Sequence, residues 1–373
     1  MSHPRVDVGM GIPAGPPMGL VRMQVAVARL GRLDSVMVLD HLQSHWPEAL
    51  WSELIWLRRP GGAHAFFDYA ALLGSMAARS GGMRLGVQVT DPVRRHPVVV
   101  AQTMLTLAHL SRRAPILGIG SGERENIEPY GLPFDHPTGR LEEALQILRD
   151  CFAGRLSDFT GEHYVLRGAV MSLRPPPGRV PEIWVGAHGP RMLELTGRYG
   201  DGWIPTVVTS PEDYAQKWQA VQRAAVQADR DPEGITASFA PFVMLARDPA
   251  EARAILRNPI ARFNALLIPA AVWRSHGAEH PLGPRFRGFI DVLPEQLDLD
   301  EVHAAIEAVP DDMAALGVMV ATPDQLVARV RALAEAGLQH FSPYVLSSLL
   351  SRRNALYDSR AWPLIARRLR SGR

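Results

Sequence analysis

The chain has 373 residues, 47% of them hydrophobic and 21% charged, with a formal net charge of +2 and one cysteine, Cys151. That length suits two ordinary domains or one large α/β barrel with insertions. The scattered charge forms no basic stripe for nucleic acid, no apolar run approaches the roughly 18 residues of a membrane span, and a lone cysteine excludes an intrachain disulfide framework and suits a reducing cytoplasm.

Residues 1–19 lack a charged stretch followed by an apolar one, so no secretory signal is expected there. Lys217 is the only lysine, which leaves no Schiff-base or phosphate-loop lysine elsewhere.

In chain order, the first expected strand is VDVGMGI, 6–12. The second, SVMVLD at 35–40, delivers Asp40 and His41 in the stretch VLDHLQSHW. Histidine exchanges protons near neutral pH, although a loop histidine held by hydrogen bonds has the same pattern. His41 and His45 stand four apart, but no third ligand follows at diagnostic spacing, so no metal is expected. The third strand, RLGVQVT at 84–90, ends in Thr90 and Asp91, with Arg94, Arg95 and His96 beyond them. That segment reads as a ligand loop or as a solvated charge run.

The fourth strand, APILGIG at 114–120, runs through Gly118, Gly120 and Gly122 to Glu123. It is not a dinucleotide fingerprint, because Glu123 stands where the last glycine belongs. Glycines at a strand end let backbone approach a flat ligand. Glu123 reads either as a cap on the next helix or as a carboxylate offered to a substrate. Leu141, Leu145, Leu148 and Phe152 then form a core-facing helical stripe in 138–152.

The fifth strand, EIWVGAH at 182–188, meets Gly189-Pro190, where a helix start favours an anion and Arg191 could assist. An ordinary βα turn fits the same spacing. Strands at 202–206, 237–246 and 340–346 complete eight. TPDQ at 322–325 marks a helix start with a capping box, and DPAE at 248–251 repeats it. Gly337 suits a helix C-terminus. Buried strands alternating with helices argue for a (β/α)8 barrel, with insertions at about 154–181 and 258–321 after the fourth and seventh strands. Expected is a single such domain over 1–373. No nucleophile elbow or cysteine–histidine pair supports hydrolysis.

The segments VLDHL (38–42), RLGVQVTDPVRRHPVVVAQ (84–102), ILGIGSGERENIEPYG (116–131), PEIWVGAHGPRMLELTGRYGDGWIP (181–205) and WRSHGAEHPLG (273–283) together resemble the bacterial-luciferase-like superfamily. More narrowly they resemble its deazaflavin-dependent branch, which uses coenzyme F420. The resemblance implies a luciferase-like (β/α)8 barrel, usually a homodimer, with the deazaflavin ring at the C-terminal mouth. It implies that Asp40 and His41 lie at the ring, the histidine near its reactive carbon, and that Glu123 faces the substrate. Asn126, Gly120, Ser121 and Gly122 correspond to contacts with the coenzyme. Gln88-Val89, followed by Thr90, corresponds to a cis peptide that buttresses the ring. Ala187, His188 and Gly189 match the phosphate-binding turn, with Arg191 beside it; Thr206 and Trp46 fall on the substrate side. The lysines that bind sugar phosphate in some members have no counterpart, which argues against that substrate. The apolar stretch FNALLIPAAVW (263–273) points to an apolar one.

The expected activity is therefore F420-dependent reduction of a carbonyl, or an activated C=C or C=N, of a largely apolar small molecule, with Glu123 or His41 supplying the proton. An FMN-dependent monooxygenase on the same barrel is the alternative, and a flavin-binding protein without turnover is another.

Overall fold

The computed structural model describes residues 4–371. Eight parallel strands close into a barrel: β1 (Asp7–Ile12), β2 (Ser35–Val38), β3 (Arg84–Thr90), β4 (Ile116–Ile119), β5 (Glu182–Val185), β6 (Gly202–Trp203), β7 (Thr236–Phe239) and β8 (His340–Phe341). The ring closes because β1 pairs with both β2 (Gly9↔Ser35) and β8 (Asp7↔His340). Strand residues such as Val36, Leu85, Leu117 and Ile183 are fully buried, which is why these segments read as continuous apolar runs rather than alternating ones.

The expected strand 237–246 is two pieces. After Phe239 the ladder breaks at Ala240-Pro241 and resumes as Phe242–Leu245. Proline has no N–H to donate to a ladder. Pro343 divides the expected strand 340–346 in the same way, with Tyr344–Val345 as its continuation. The second halves pair with each other, and Phe242–Leu245 also pairs with Met319–Ala321, a short strand outside the ring that falls within the expected insertion.

The helix signals act locally. The Thr322 hydroxyl accepts from the Gln325 amide at 3.4 Å while the Gln325 side chain accepts from the Thr322 amide at 3.0 Å. Asp248 accepts from the amides of Ala250 and Glu251; the Glu251 carboxylate goes one residue further back, to the Arg247 amide. The helix Pro137–Ala153 buries Leu141, Leu145, Leu148 and Phe152 against the barrel.

Residues 154–181 hold a small hairpin, Phe159–Thr160 with Val165–Leu166, before β5. Residues 258–321 hold the helices Pro259–Leu266, Ala270–Ser275, Leu299–Ala308 and Asp311–Gly317. They join the segment after β2, with its helix Glu48–Leu54, in a second hydrophobic cluster that includes Trp46, Trp51, Phe263, Trp273 and Ile306. The stretch 263–273 therefore builds the insertion's own core. Phe263, Leu266, Leu267, Ile268 and Trp273 are nearly inaccessible, so the apolar run is explained by packing and not by a substrate wall. Among the described residues, no helix is long and apolar enough to cross a membrane.

Candidate active site

The ends of β2, β3 and β4 are tied together by buried polar side chains. Asp40 accepts from the Thr90 hydroxyl at 2.6 Å and pairs with Arg94 at 3.1 Å. Arg94 also pairs with Asp91 at 2.5 Å and donates to the Asp40 carbonyl at 2.7 Å. Burial would lower the pKa of this guanidinium, but the Asp91 and Asp40 carboxylates outweigh it and raise it. Within the charge-run segment 91–96, Arg94 is thus neither solvated nor free for a ligand, its side chain being 9% exposed. Arg94 is a strut that fixes the turn carrying His41.

Asn126 holds that turn from the other side. Its carbonyl accepts from the amides of Leu42 (2.7 Å) and Gln43 (3.2 Å), and its amide group lies 3.4 Å from the Glu123 carboxylate. The Gln43 side chain donates to the Glu125 carbonyl at 2.5 Å. His41 Nε2 consequently sits 3.6 Å from a Glu123 carboxylate oxygen. His41 Nδ1 has two neighbours at 3.2 Å, the Gln43 carbonyl and the Asn126 amide group. Asn126 can donate to Nδ1 only when the ring proton is on Nε2, facing Glu123; donation to the Gln43 carbonyl puts it on Nδ1. The imidazole can therefore face Glu123 with either a protonated or a bare Nε2, according to its tautomer. His41 is 12% exposed and Glu123 34%, so both remain within reach of a ligand.

The Gln88–Val89 peptide bond is cis. The Gln88 side chain is buried and reaches across to Ser342, and the main-chain carbonyl of Gln88 accepts from the Tyr344 hydroxyl at 2.9 Å. The ladder between β3 and β4 shifts register between Val87 and Thr90. The Val89 side chain is flanked by positions without Cβ atoms: a Cβ on Gly120 would meet only Val89, at 3.2 Å, and one on Gly186 would lie 3.5 Å from it. Gly122 has φ +95°, which favours glycine, and Ser121 stands before it, half-buried.

At the end of β5, Ala187 is buried and its carbonyl accepts from Trp203 at 2.9 Å. His188 meets the Thr206 hydroxyl at 3.0 Å. Gly189 precedes the helix Pro190–Tyr199 with no side-chain cap and with open space around its Cα. Amides in the first helical turn lack intrahelical acceptors, so this terminus can take an anion. The Arg191 side chain is turned away to Glu142 and to Glu194, the latter at 2.8 Å. The residues present fit a flat polycyclic ring against Val89 and the glycines, with an anionic tail toward Gly189.

Two aromatic groups flank this region. Phe66 lies 5.6 Å from the His41 ring, and Phe242 stands between Tyr344 and Phe289, its ring centroid 6.2 Å from each and its plane tilted to both. Trp46 is packed on Phe263, 4.2 Å between centroids, inside the second core. The sequence does not single out Gln43, Glu125, Phe66 or Tyr344. Tyr344 had a usable signal, its place at the end of the eighth strand; Glu125 had none. One oxygen or nitrogen each from His41, Glu123 and Glu125 falls within 4.8 Å of the others.

The family model described as luciferase-like monooxygenase matches residues 5–340. Over 331 residues, 87% of each chain, the protein is 38% identical to the phthiodiolone/phenolphthiodiolone dimycocerosates ketoreductase of Mycobacterium tuberculosis. It is 31% identical over 332 residues to the F420-dependent glucose-6-phosphate dehydrogenase of Rhodococcus erythropolis, covering 87% of this chain and 86% of the relative. The coenzyme F420-dependent tetrahydromethanopterin reductase of Methanopyrus kandleri shares the fold, with a TM-score of 0.73 at 19% identity over 97% of this chain and 98% of that one. The chain belongs to the luciferase-like monooxygenase family, as an oxidoreductase related to F420-dependent enzymes.

Proposed function

We propose that this protein is an F420-dependent reductase that converts a carbonyl, or an activated C=C or C=N, of a largely apolar small molecule to its reduced form. The observation that carries the reading is the His41–Glu123 pair, 3.6 Å apart, at the edge of the glycine-lined cradle formed around Val89. The ketoreductase relative at 38% identity supports carbonyl reduction, and the F420-dependent relative at 31% supports the coenzyme.

The bound deazaflavin would supply hydride, and the protein supplies position and protons. Val89, Gly120 and Gly186 provide a surface for the ring, and Ser121, Gly122 and Asn126 belong to the same wall. The first turn after Gly189 receives the anionic tail, with Ala187 and His188 shaping it. Asp40, fixed by Thr90 and Arg94, holds His41 in place. Glu123 or His41 gives a proton to the substrate oxygen as charge develops there, an interaction made in the transition state. Phe66, Phe242 and Phe289 favour an apolar substrate body. Sugar phosphate is disfavoured: the single lysine is bound to Asp213 at 2.8 Å, within its own helix.

The test is anaerobic turnover of reduced F420 with a panel of ketones, enones and imines. Glu123→Gln and His41→Ala should each lower kcat about a hundredfold while coenzyme binding stays near wild type. Full turnover in both variants would sink the assignment. The family's monooxygenase description favours one other reading, FMN with oxygen. Tight FMN binding, no F420 binding and oxygen consumption with a supplied flavin reductase would select it.

A further inference from the structure

Glu125 lies two residues beyond Glu123, in the short helical turn Arg124–Asn126. Its side chain is 0% exposed. Neither of its carboxyl oxygens has a hydrogen-bond donor. The nearby donors are committed elsewhere: Gln43 goes to the Glu125 carbonyl, Arg124 to Glu128 at 2.6 Å, and Arg94 to Asp40 and Asp91. An ionised carboxylate so placed is cut off from solvent and has no side-chain donor, and its own backbone amide and the charge of Arg94 do not offset its burial, an arrangement that folded proteins avoid. A leucine or methionine there would remove the difficulty altogether. The groups that face Glu125 are Glu123 and His41, each with an atom within 4.8 Å of one of its own, and the charge of Arg94; Tyr344, from the continuation of β8, feels the charge of Glu123. As two carboxylates, Glu123 and Glu125 can only repel. With one proton between them, Glu125 becomes a donor and Glu123 its acceptor, which gives Glu125 the partner it lacks. Burial first, and the Glu123 charge next, push the Glu125 carboxyl well above the usual carboxylate range.

We propose that Glu123 and Glu125 share one proton, and that Glu125 is the buried reservoir from which Glu123 is supplied when a substrate is reduced. This rests on the carbonyl-reduction reading. In that reaction the carbonyl carbon gains a hydride, one hydrogen with two electrons, from the reduced deazaflavin. The C=O π pair moves to oxygen, and that oxygen takes the shared proton through Glu123 and becomes a hydroxyl. The carboxyl pair is left with two charges and recovers one proton from solvent by way of His41, the more accessible neighbour. Glu125 does not touch substrate; it is a positioning residue for the proton.

The experiment compares wild type with Glu125→Gln and Glu125→Met. In the free protein carrying 13C-labelled glutamate, infrared difference spectra at neutral pH should show a protonated glutamic carboxyl that both variants lack. In steady state with reduced F420, Glu125→Gln should keep KM and coenzyme affinity, lower kcat about tenfold, and move the alkaline limb of the pH–rate profile to lower pH. A purely structural role would leave that limb in place. Absence of the protonated band in wild type, or an unchanged pH profile in Glu125→Gln, overturns the proposal. So does stabilisation of wild type, but not of the variants, by added zinc or manganese, because the three groups would then be metal ligands. If wild type neither binds nor oxidises reduced F420, the functional reading fails, while the infrared result on the free protein still decides whether the proton is shared.

Discussion

Gly120→Ala separates the coenzyme cradle from the barrel that carries it. The added methyl meets only the Val89 Cγ2, at 3.2 Å. That is a few tenths of an ångström inside ordinary carbon contact, so Val89 must yield slightly, at a cost of about 1 kcal/mol or less. Towards the ligand the effect is larger. The new bond projects about 1.5 Å from the backbone, into the space where the ring is expected to lie in contact. The ring must lift off or slide, and the coenzyme dissociation constant should rise between tenfold and a hundredfold, about 1.4–2.8 kcal/mol. Gly118→Ala is the control. There the methyl would fall 2.3 Å from the Val87 carbonyl oxygen, which is backbone and cannot swing aside, so stability should drop by roughly 1–3 kcal/mol. Tryptophan fluorescence titration with F420 gives the binding term, and urea unfolding gives the stability term. If Gly120→Ala binds F420 within twofold of wild type while folding normally, the ring does not lie against Gly120, and the cradle has been placed wrongly.

Two further outcomes follow from the buried charges. Arg94→Met leaves Asp91 buried without its cation and Asp40 with only Arg95, at 3.8 Å, and should cost roughly 3–5 kcal/mol in urea unfolding; a loss under about 1 kcal/mol would show that Arg94 is not the strut described. Asp358 lies against Ser347, which donates to it at 2.6 Å. Burial raises its pKa to about 7, with a further push from Glu251, against the bonds from Ser347 and Ser348 that lower it. The folded value lies above the unfolded one, so the stabilising contribution is complete below about pH 4 and is lost as pH rises through about 7. Wild type should therefore lose stability between about pH 5 and about pH 8 relative to Asp358→Asn; urea midpoints that move in parallel would contradict this.

Much of the barrel was legible because its strands are buried on both faces and its helices carry caps at fixed offsets. Thr322 with Gln325, and Leu141 with Leu145, Leu148 and Phe152, are local patterns that the fold uses as read. What escaped the sequence depended on partners far along the chain. Pro241 and Pro343 divide strands whose composition reads as continuous. The apolar run 263–273 has the pattern of a substrate wall or of a core, and only packing against Trp46, Leu50 and Trp51 makes it a core. The helix Glu48–Leu54 after β2 carries no comparable local signal, because its apolar residues are buried by helices more than two hundred positions away. In the site, Asp40, His41 and Glu123 stood out by residue type at strand ends. Arg94 reads from sequence as part of a ligand loop or of a solvated charge run, since its two carboxylate partners come from separate strand ends. Glu125 follows Glu123 with no periodicity to mark it, and only its lack of a donor singles it out.

The most direct test of the account is the fate of the hydrogen at C5 of the coenzyme. Reduced F420 carrying two deuteriums at C5 should be oxidised by the purified protein and an apolar ketone without oxygen, and one deuterium should appear on the carbinol carbon of the product per coenzyme oxidised. Oxidation that requires oxygen and leaves the ketone unlabelled, or binding of FMN with no reaction of reduced F420 toward any acceptor, would contradict it.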